Sequence, residues 1–387
     1  INLAPRLGKE YAIFTTSNAA SNLSSKLLNK NVYIVDEYLS DDLWREFENT
    51  QKKASFFFHE NLDSIEKNLN IRGINFYEMY QNVLINIWKY VIPQSELYYQ
   101  FMDNAFKEMR PKHVIGVRVR RLFERASFVA AKANNIDTNI ILHDVLGCTV
   151  DDYYQTGHFD LFDNVFVWGE IHKKMIQSDI LSSKSNVHVV GTMNFTRQHA
   201  TKVSMDINKN LHLMYAATRN DLRVVDQLIR AAKKIGGISI TIKSHPNKDG
   251  TIYDKYSSLA FVTVIKKKIP IQEMMSKVDI FATTYSSSHI YAAMCGIPIL
   301  LLAFDPVVEN NLKKIFGLSR HKDKDIVITD KKQLFQVVRE FQMNKKNNRK
   351  NIMTQQDEYI NNLIYLRDRE EDVITDILNV LNSKKIA

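Results

Sequence analysis

Short apolar runs separated by stretches of helical spacing dominate the chain from His113 onward. The runs read HVIGVRV, TNIILHD, NVFVWG and NVHVVG, then LHLMYAA, SITIKSHP, FVTVI, IFATTY and PILLLAF. Each has the length of a strand buried on both faces. The stretches between them, such as LFERASFVAAKANN, DLRVVDQLIRAAKK, IQEMMSKV and SHIYAAMC, carry the periodicity of helices. Strands that alternate with helices predict parallel sheets assembled from βαβ units. Glycine and proline mark the joins, in GG before SITIK and in CGIP between a helix and a strand.

Upstream, a strand-like run after Tyr11, a Ser/Asn-rich helix start and a second strand from Asn31 to Val35 read as the opening of a βαβ unit. Leu39 to Phe106 is helix-patterned and aromatic, suited to packing and to shaping an acceptor side. The polar, proline-free segment Thr196 to Asn210 separates the two alternating series and is expected to act as a hinge. The expected organisation is therefore an α/β chain of two Rossmann-like, doubly wound domains facing a cleft. Residues 1–197 form an acceptor and catalytic-loop domain and 198–354 a nucleotide-donor domain. Residues 355–387 hold a long polar helix, Gln355 to Leu381, that packs back on the first domain. FQMNKKNNRKN reads as an exposed basic connector, and no internal repeat is evident.

Length agrees with this division, since 387 residues at roughly 150 per domain give about two. A composition of 45% hydrophobic and 25% charged residues excludes a largely disordered chain. The longest purely apolar stretch, Ile297 to Phe304, falls well short of the roughly 20 residues that cross a bilayer. Cys148 and Cys295 sit in segments that read as buried, without a disulfide or zinc framework, which predicts a reducing, cytoplasmic setting. The chain starts at Ile1 rather than Met, so the natural N-terminus is expected to lie upstream or to have been removed. A net charge of +9 favours anionic partners without choosing among nucleotide phosphates, lipid headgroups and nucleic acid. Plain lysine-rich solubility explains the same number.

In open parallel sheets the loops after the strand ends form the ligand crevice. Four such places carry candidate chemistry. Lys243 and His245, in KSHP, suit contact with a phosphate or ribose oxygen, although His-Pro after a strand is also an ordinary turn feature. Ser286, Ser287 and Ser288 follow the strand ending at Thr283 and Thr284 and open a helix, where unpaired amides and hydroxyls suit an anion; a helix cap needs one serine only. His143 and Asp144, in ILHDVLG, offer a carboxylate that deprotonates a hydroxyl or attacks an anomeric carbon, or merely caps a helix. Asp151 and Asp152 are a second carboxylate pair, in a loop. Arg118 and Arg120 alternate to one side of a strand end, ahead of Arg121, Glu124 and Arg125, and suit a carboxylate or phosphate clamp or a solvated edge. Arg219, in ATRND, is placed to meet a donor. There is no strand-end Asp-x-Asp of the metal-dependent transferases.

KSHP followed by TTYSSSHIYAAMCGIPILLL resembles the donor-binding half of bacterial GT-B transferases that use cytidine nucleotides. These are the polysialyl-, sialyl- and Kdo-transferases with HP and serine motifs, and the CDP-glycerol glycerophosphotransferases. ILHDVLG, VFVWGEIHKKMI and VHVVGTM are similar to the order of elements in the same enzymes, so the resemblance spans Val114 to Phe304. It implies a GT-B fold, with His245 at the nucleotide phosphate, Ser286 and Ser287 at the donor phosphates, and His143 and Asp144 in the catalytic loop. The polyol-phosphate transferases carry His-Gly at that loop, and sialyltransferases a paired acid followed by Gly. His-Asp-Val-Leu-Gly here favours Asp144 as the working carboxylate.

The expected function is a metal-independent glycosyltransferase. It would move an ulosonic acid of the Kdo or sialic-acid type from a CMP-linked donor to a glycan or lipid-linked acceptor of surface polysaccharide, as in capsule or lipopolysaccharide synthesis. No cofactor beyond the nucleotide-sugar co-substrate is expected. Arg118 or Arg120 would meet the donor carboxylate, and Asp144 would serve as base or nucleophile, leaving stereochemistry open. Rival readings are a CDP-glycerol or CDP-ribitol transferase, a nonhydrolysing UDP-sugar epimerase, and a noncatalytic polyanion-binding protein. Nucleic acid is not an expected partner. Attraction to anionic lipid at the inner membrane face, through the C-terminal helix with Lys384 and Lys385, would place the enzyme near lipid-linked acceptors.

Overall fold

The structure, a computed structural model, describes residues 12–15, 32–34, 39–117, 119, 121–142, 159–177, 184–199, 210–218, 221–245, 250–266, 269–318 and 326–383. Of the positions singled out above, Arg118, Arg120, His143, Asp144, Cys148, Asp151, Asp152, Arg219, Lys384 and Lys385 lie outside the described residues. The chain forms two compact units, Ile1–Ile140 with Leu161–Asp163, and Ile141–Asp160 with Asn164–Ala387.

In the first unit, β1 (Ile13–Thr15) and β2 (Val32–Ile34) pair in parallel. Ser40 caps α1 (Asp41–Glu60) by accepting from the Leu43 amide at 3.3 Å, and Asp41 and Asp42 favour the positive end of the helix. After α2 (Leu62–Asn68) come the antiparallel β3 (Asn70–Ile71) and β4 (Ile74–Asn75), joined by Arg72 and Gly73 at positive φ. Next are α3 (Phe76–Asn86), one wider helical turn over Ile87–Val91, and α4 (Ile92–Met109), which ends in the left-handed Arg110. β5 (His113–Gly116) and β6 (Asp137–Ile141) are parallel and flank α5 (Leu122–Ala133). Phe101, Met102 and Phe106 of α4 pack on Ala130, Ala131 and Ile136, the two alanines of α5 allowing the helices to approach closely. Asp163 accepts from Lys132 at 2.5 Å and from the Thr138 amide at 2.9 Å, which holds its carboxyl below the usual range despite burial.

The second unit contains β7 (Asn164–Val167), α6 (Glu170–Ile176) and β8 (Asn186–Val189), with β7 and β8 parallel. It then continues through β9 (Leu211–Ala216), α7 (Leu222–Ile235), β10 (Ile238–Lys243), β11 (Val262–Ile265) and β12 (Ile280–Thr283). The remaining elements are α8 (Ser288–Met294), β13 (Ile299–Leu302), α9 (Pro306–Phe316), β14 (Val327–Ile328), α10 (Lys331–Met343), α11 (Lys345–Leu363) and α12 (Glu370–Ser383). Six strands make one parallel sheet in the order β11-β10-β9-β12-β13-β14. Its strands are apolar runs because helices cover both faces. Ile299 to Leu302 are wholly buried, and each such side chain contributes on the order of 1.5–3 kcal/mol. α7 turns Val224, Val225, Leu228 and Ile229 inward and Arg223, Arg230, Lys233 and Lys234 to solvent.

Three local expectations are corrected. IQEMMSKV forms the tighter 3-10 turn Ile271–Lys277 rather than an α-helix. FQMNKKNNRKN is no connector: it completes α10 and starts α11, where the buried Lys345 pairs with Asp279 at 3.4 Å. Gln355 to Leu381 is two helices, interrupted between Ile364 and Arg369. The break has a physical cause. The Tyr365 amide donates to the Trp168 carbonyl at 2.6 Å, so this stretch runs as an extended strap along the end of β7. Gly169 is required there, since a Cβ at that position would press on the Leu363 carbonyl. Gly191, at φ +85°, makes the same room against Tyr365. The start of the expected hinge, Arg197–His199, is tied to the strap by the Arg197 and Gln198 amides donating to Arg367 and Asp368; residues 200–209 lie outside the described residues.

Candidate functional site

In the six-stranded sheet the chain enters at β9, places β10 and β11 on one side and β12, β13 and β14 on the other. The connections therefore part at the carboxyl ends of β9 and β12, the topological switch point where open parallel sheets form a crevice. The registers set Ala216 level with Lys243 of β10 and with Thr283 of β12, so three strand ends finish in one row. Thr283 ties that row together, its hydroxyl donating to the Ala216 carbonyl at 2.8 Å.

Above the row, Thr218, His245 and Tyr285 to Ser288 are partly exposed, while Lys243, Ser244 and Thr284 are buried. The Thr218 and Thr284 hydroxyls meet at 2.6 Å across the switch point. Lys243 is 6% exposed, and its ammonium donates to the Ser244 carbonyl at 3.1 Å without an ion pair among the described residues. Burial lowers its pKa. A cation lacking a carboxylate partner at a strand end is suited to meet an anion.

The serine run is built differently from the expectation. The helix opens at Ser288, not Ser286, and α8 is a seven-residue helix. Ser286 Oγ accepts from the Ser288 amide at 3.3 Å and shares a hydrogen bond with its hydroxyl at 2.7 Å, so part of the run caps itself. Ser287 makes no side-chain capping bond. His289 locks the turn from beneath: its Nδ1 lies 2.6 Å from the Ser286 carbonyl and its Nε2 2.7 Å from the Tyr359 hydroxyl. It is fully buried, and desolvation holds its pKa down to about 4, so the ring is neutral near pH 7.

Pattern reading missed a buried carboxylate beside this row, Asp221. It is 4% exposed and accepts from four donors. Oδ2 takes the Tyr215 hydroxyl at 2.7 Å, the Thr218 amide at 2.7 Å and the Thr218 hydroxyl at 3.3 Å; Oδ1 takes the Tyr253 hydroxyl at 2.5 Å. Burial and the adjacent carboxylate push both tyrosine hydroxyls well above their ordinary pKa, which keeps them donors. The only sequence signal was an acidic residue before α7, which reads as a simple cap.

Glu124 accepts from the Arg121 amide at 3.0 Å and so secures the start of α5. Among the described residues no three His, Cys, Asp or Glu side chains are grouped to hold a metal ion, and no helix is long and apolar enough to cross a membrane.

No protein-family model matches the sequence, and no curated protein matches it. Solved structures do share its fold. A UDP-N-acetylglucosamine 2-epimerase superposes with a TM-score of 0.51 at 12% identity, over 76% of this chain and 78% of that one. The S. aureus MnaA–UDP co-structure gives 0.50 at 14% identity, over 74% and 81%. The wall teichoic acid polymerase TagF, soaked with CDPG, gives 0.45 at 13% identity, over 71% and 74%. The fold is α/β with parallel sheets, of the GT-B kind.

Proposed function

We propose that this chain is a nucleotide-sugar-dependent glycosyltransferase. One observation carries the reading: the partly exposed Thr218, His245 and Ser286 to Ser288 follow the strand ends at the switch point, beside a buried Lys243 that makes no ion pair among the described residues. That is the place and the chemistry for the phosphate of a nucleotide. In this reading Lys243, His245 and Arg219 take the donor phosphate, and the serine turn held by His289 adds hydroxyls to it. The donor is a CMP-linked ulosonic acid whose carboxylate meets Arg118 or Arg120, with Glu124 fixing the start of the helix behind them. Asp144, beside His143, deprotonates the acceptor hydroxyl or attacks the anomeric carbon. The acceptor is a surface glycan, reached at the inner membrane face by a chain of net charge +9.

A second reading, a nonhydrolysing UDP-sugar epimerase, is favoured by the fold shared with a UDP-N-acetylglucosamine 2-epimerase. Incubation with CMP-Kdo, CMP-sialic acid, CDP-glycerol and UDP-GlcNAc in separate reactions with acceptor distinguishes them. CMP release from a CMP-sugar is expected, lowered about a hundredfold or more by Asp144→Ala with the fold retained. Silence with both CMP-sugars, together with a 2-epimer formed from UDP-GlcNAc, would replace the first reading by the second. Glycerol phosphate transfer from CDP-glycerol would point instead to the polyol-phosphate class.

A further inference from the structure

We infer that Asp221 is the positioning residue of the nucleotide site: one buried carboxylate that sets two strand-end loops relative to each other. The inference rests on the donor reading just given and extends it to a residue that faces inward. Three observations carry it. First, Asp221 is too deep to meet a ligand and already receives four hydrogen bonds, so its effect must pass through its partners.

Second, those partners belong to both loops. Thr218, held through its amide and hydroxyl, lies two residues beyond β9 and immediately precedes Arg219. Its hydroxyl in turn meets Thr284, the residue after β12, at 2.6 Å. Tyr253 lies in the turn Gly250–Tyr256, downstream of His245 in the chain. Gly250 at the head of that turn lies so close to Ser244 that a Cβ would stand 2.8 Å from its Oγ and Cβ. A line of contacts thus runs from Asp221 through Tyr253 and Gly250 to Ser244, the neighbour of His245. Third, the acceptor capacity matches the donors. A carboxylate offers two oxygens and no hydrogen, whereas an amide offers one oxygen and two hydrogens. Asn at this position keeps an oxygen for Tyr215 and Thr218 but turns an N–H toward the Tyr253 hydroxyl, so a short bond to a carboxylate becomes a weaker one in which that hydroxyl accepts, and the Tyr253 turn is held less firmly.

The consequence is a ligand effect separable from stability. Asp221→Asn keeps the volume and weakens the contact to Tyr253, so the fold survives while the Tyr253 turn shifts by the few tenths of an ångström that ligand geometry registers. Tyr253→Phe removes the same link from the other end. The test is calorimetric titration of wild type, Asp221→Asn, Tyr253→Phe and the double variant with CMP, CDP and UDP, alongside melting temperature and circular dichroism. Expected are at least about tenfold weaker binding in each single variant, near-wild-type spectra, and a double variant no weaker than the singles, because both substitutions cut one link. Asp221→Glu should fail to rescue, since an added methylene displaces both oxygens. Wild-type-like affinity in Asp221→Asn, or losses that add in the double variant, would overturn the positioning role alone. If wild type binds none of the three nucleotides, the donor reading fails and this inference falls with it.

Discussion

Two buried histidines in this protein face opposite situations, and a substitution at one of them should stabilise the chain. His172, in α6, is fully buried and neither ring nitrogen has a hydrogen-bond partner among the described residues; the ring lies edge-on to Trp168 with centroids 5.9 Å apart. An unpaired buried polar group costs about 1–3 kcal/mol. His172→Phe removes that cost and keeps an aromatic ring, at the expense of slightly greater volume, so a net gain of about 1 kcal/mol near pH 7 is expected. The acid response should change as well. Burial holds the His172 pKa down to about 4 from an ordinary 6.5. The unfolded chain therefore takes up a proton below 6.5 that the folded chain refuses until about 4. The associated stability is complete above 6.5 and is lost as pH falls toward 4, by about 2 kcal/mol between roughly pH 7.5 and pH 5. Urea titrations at those two pH values, on wild type and His172→Phe, measure both effects. A variant less stable than wild type by more than about 1 kcal/mol near neutrality, or one that keeps the full acid loss, would refute the account. His289→Phe is the control. It removes a second acid-sensitive ring of the same pKa but also that ring's bonds to the Tyr359 hydroxyl and the Ser286 carbonyl, and should cost about 2 kcal/mol near neutrality.

Two further outcomes test how the C-terminal helices are fastened. Gly169→Ala drives a methyl into the Leu363 carbonyl and should lower stability by more than about 2 kcal/mol, read as a lower melting temperature and faster proteolysis within the 363–369 strap. Gln356, wholly buried in α11, accepts from the Ile299 amide at 2.9 Å and donates to the Ile297 carbonyl at 3.1 Å. Gln356→Leu removes both bonds and should cost about 2–4 kcal/mol in a denaturation titration.

These cases also explain which parts of the molecule were legible in the chain. The six-stranded sheet was, because its strands answer to a single rule: Leu213, Ile240, Ile280 and Leu300 are buried on both faces, so apolar runs mark them without reference to any partner. That Lys243 ends β10 and that His245 and the serines follow strand ends was legible for the same reason, since a buried apolar run marks where its strand stops. The first unit's helices showed their periodicity but not their partners. What stayed hidden depends on pairs distant in the chain. Asp221 looks like an ordinary cap until Tyr253 reaches it from another turn, and no local pattern announces that contact. Helix α11 is polar along most of its length, so periodicity read its start as a connector; it is held by Lys345 on Asp279, Arg349 on the Gly296 carbonyl and Gln356 on the loop before β13. The break after Leu363 carries neither proline nor glycine. Its signal is Gly169, nearly two hundred residues upstream in the chain, and the missing side chain there makes sense only once the Leu363 carbonyl is seen against it. Local hydrophobic pattern thus specifies the elements and the order in which they end, whereas the hydrogen bonds that hold the strand ends to shape are specified by single polar residues whose partners the pattern does not contain.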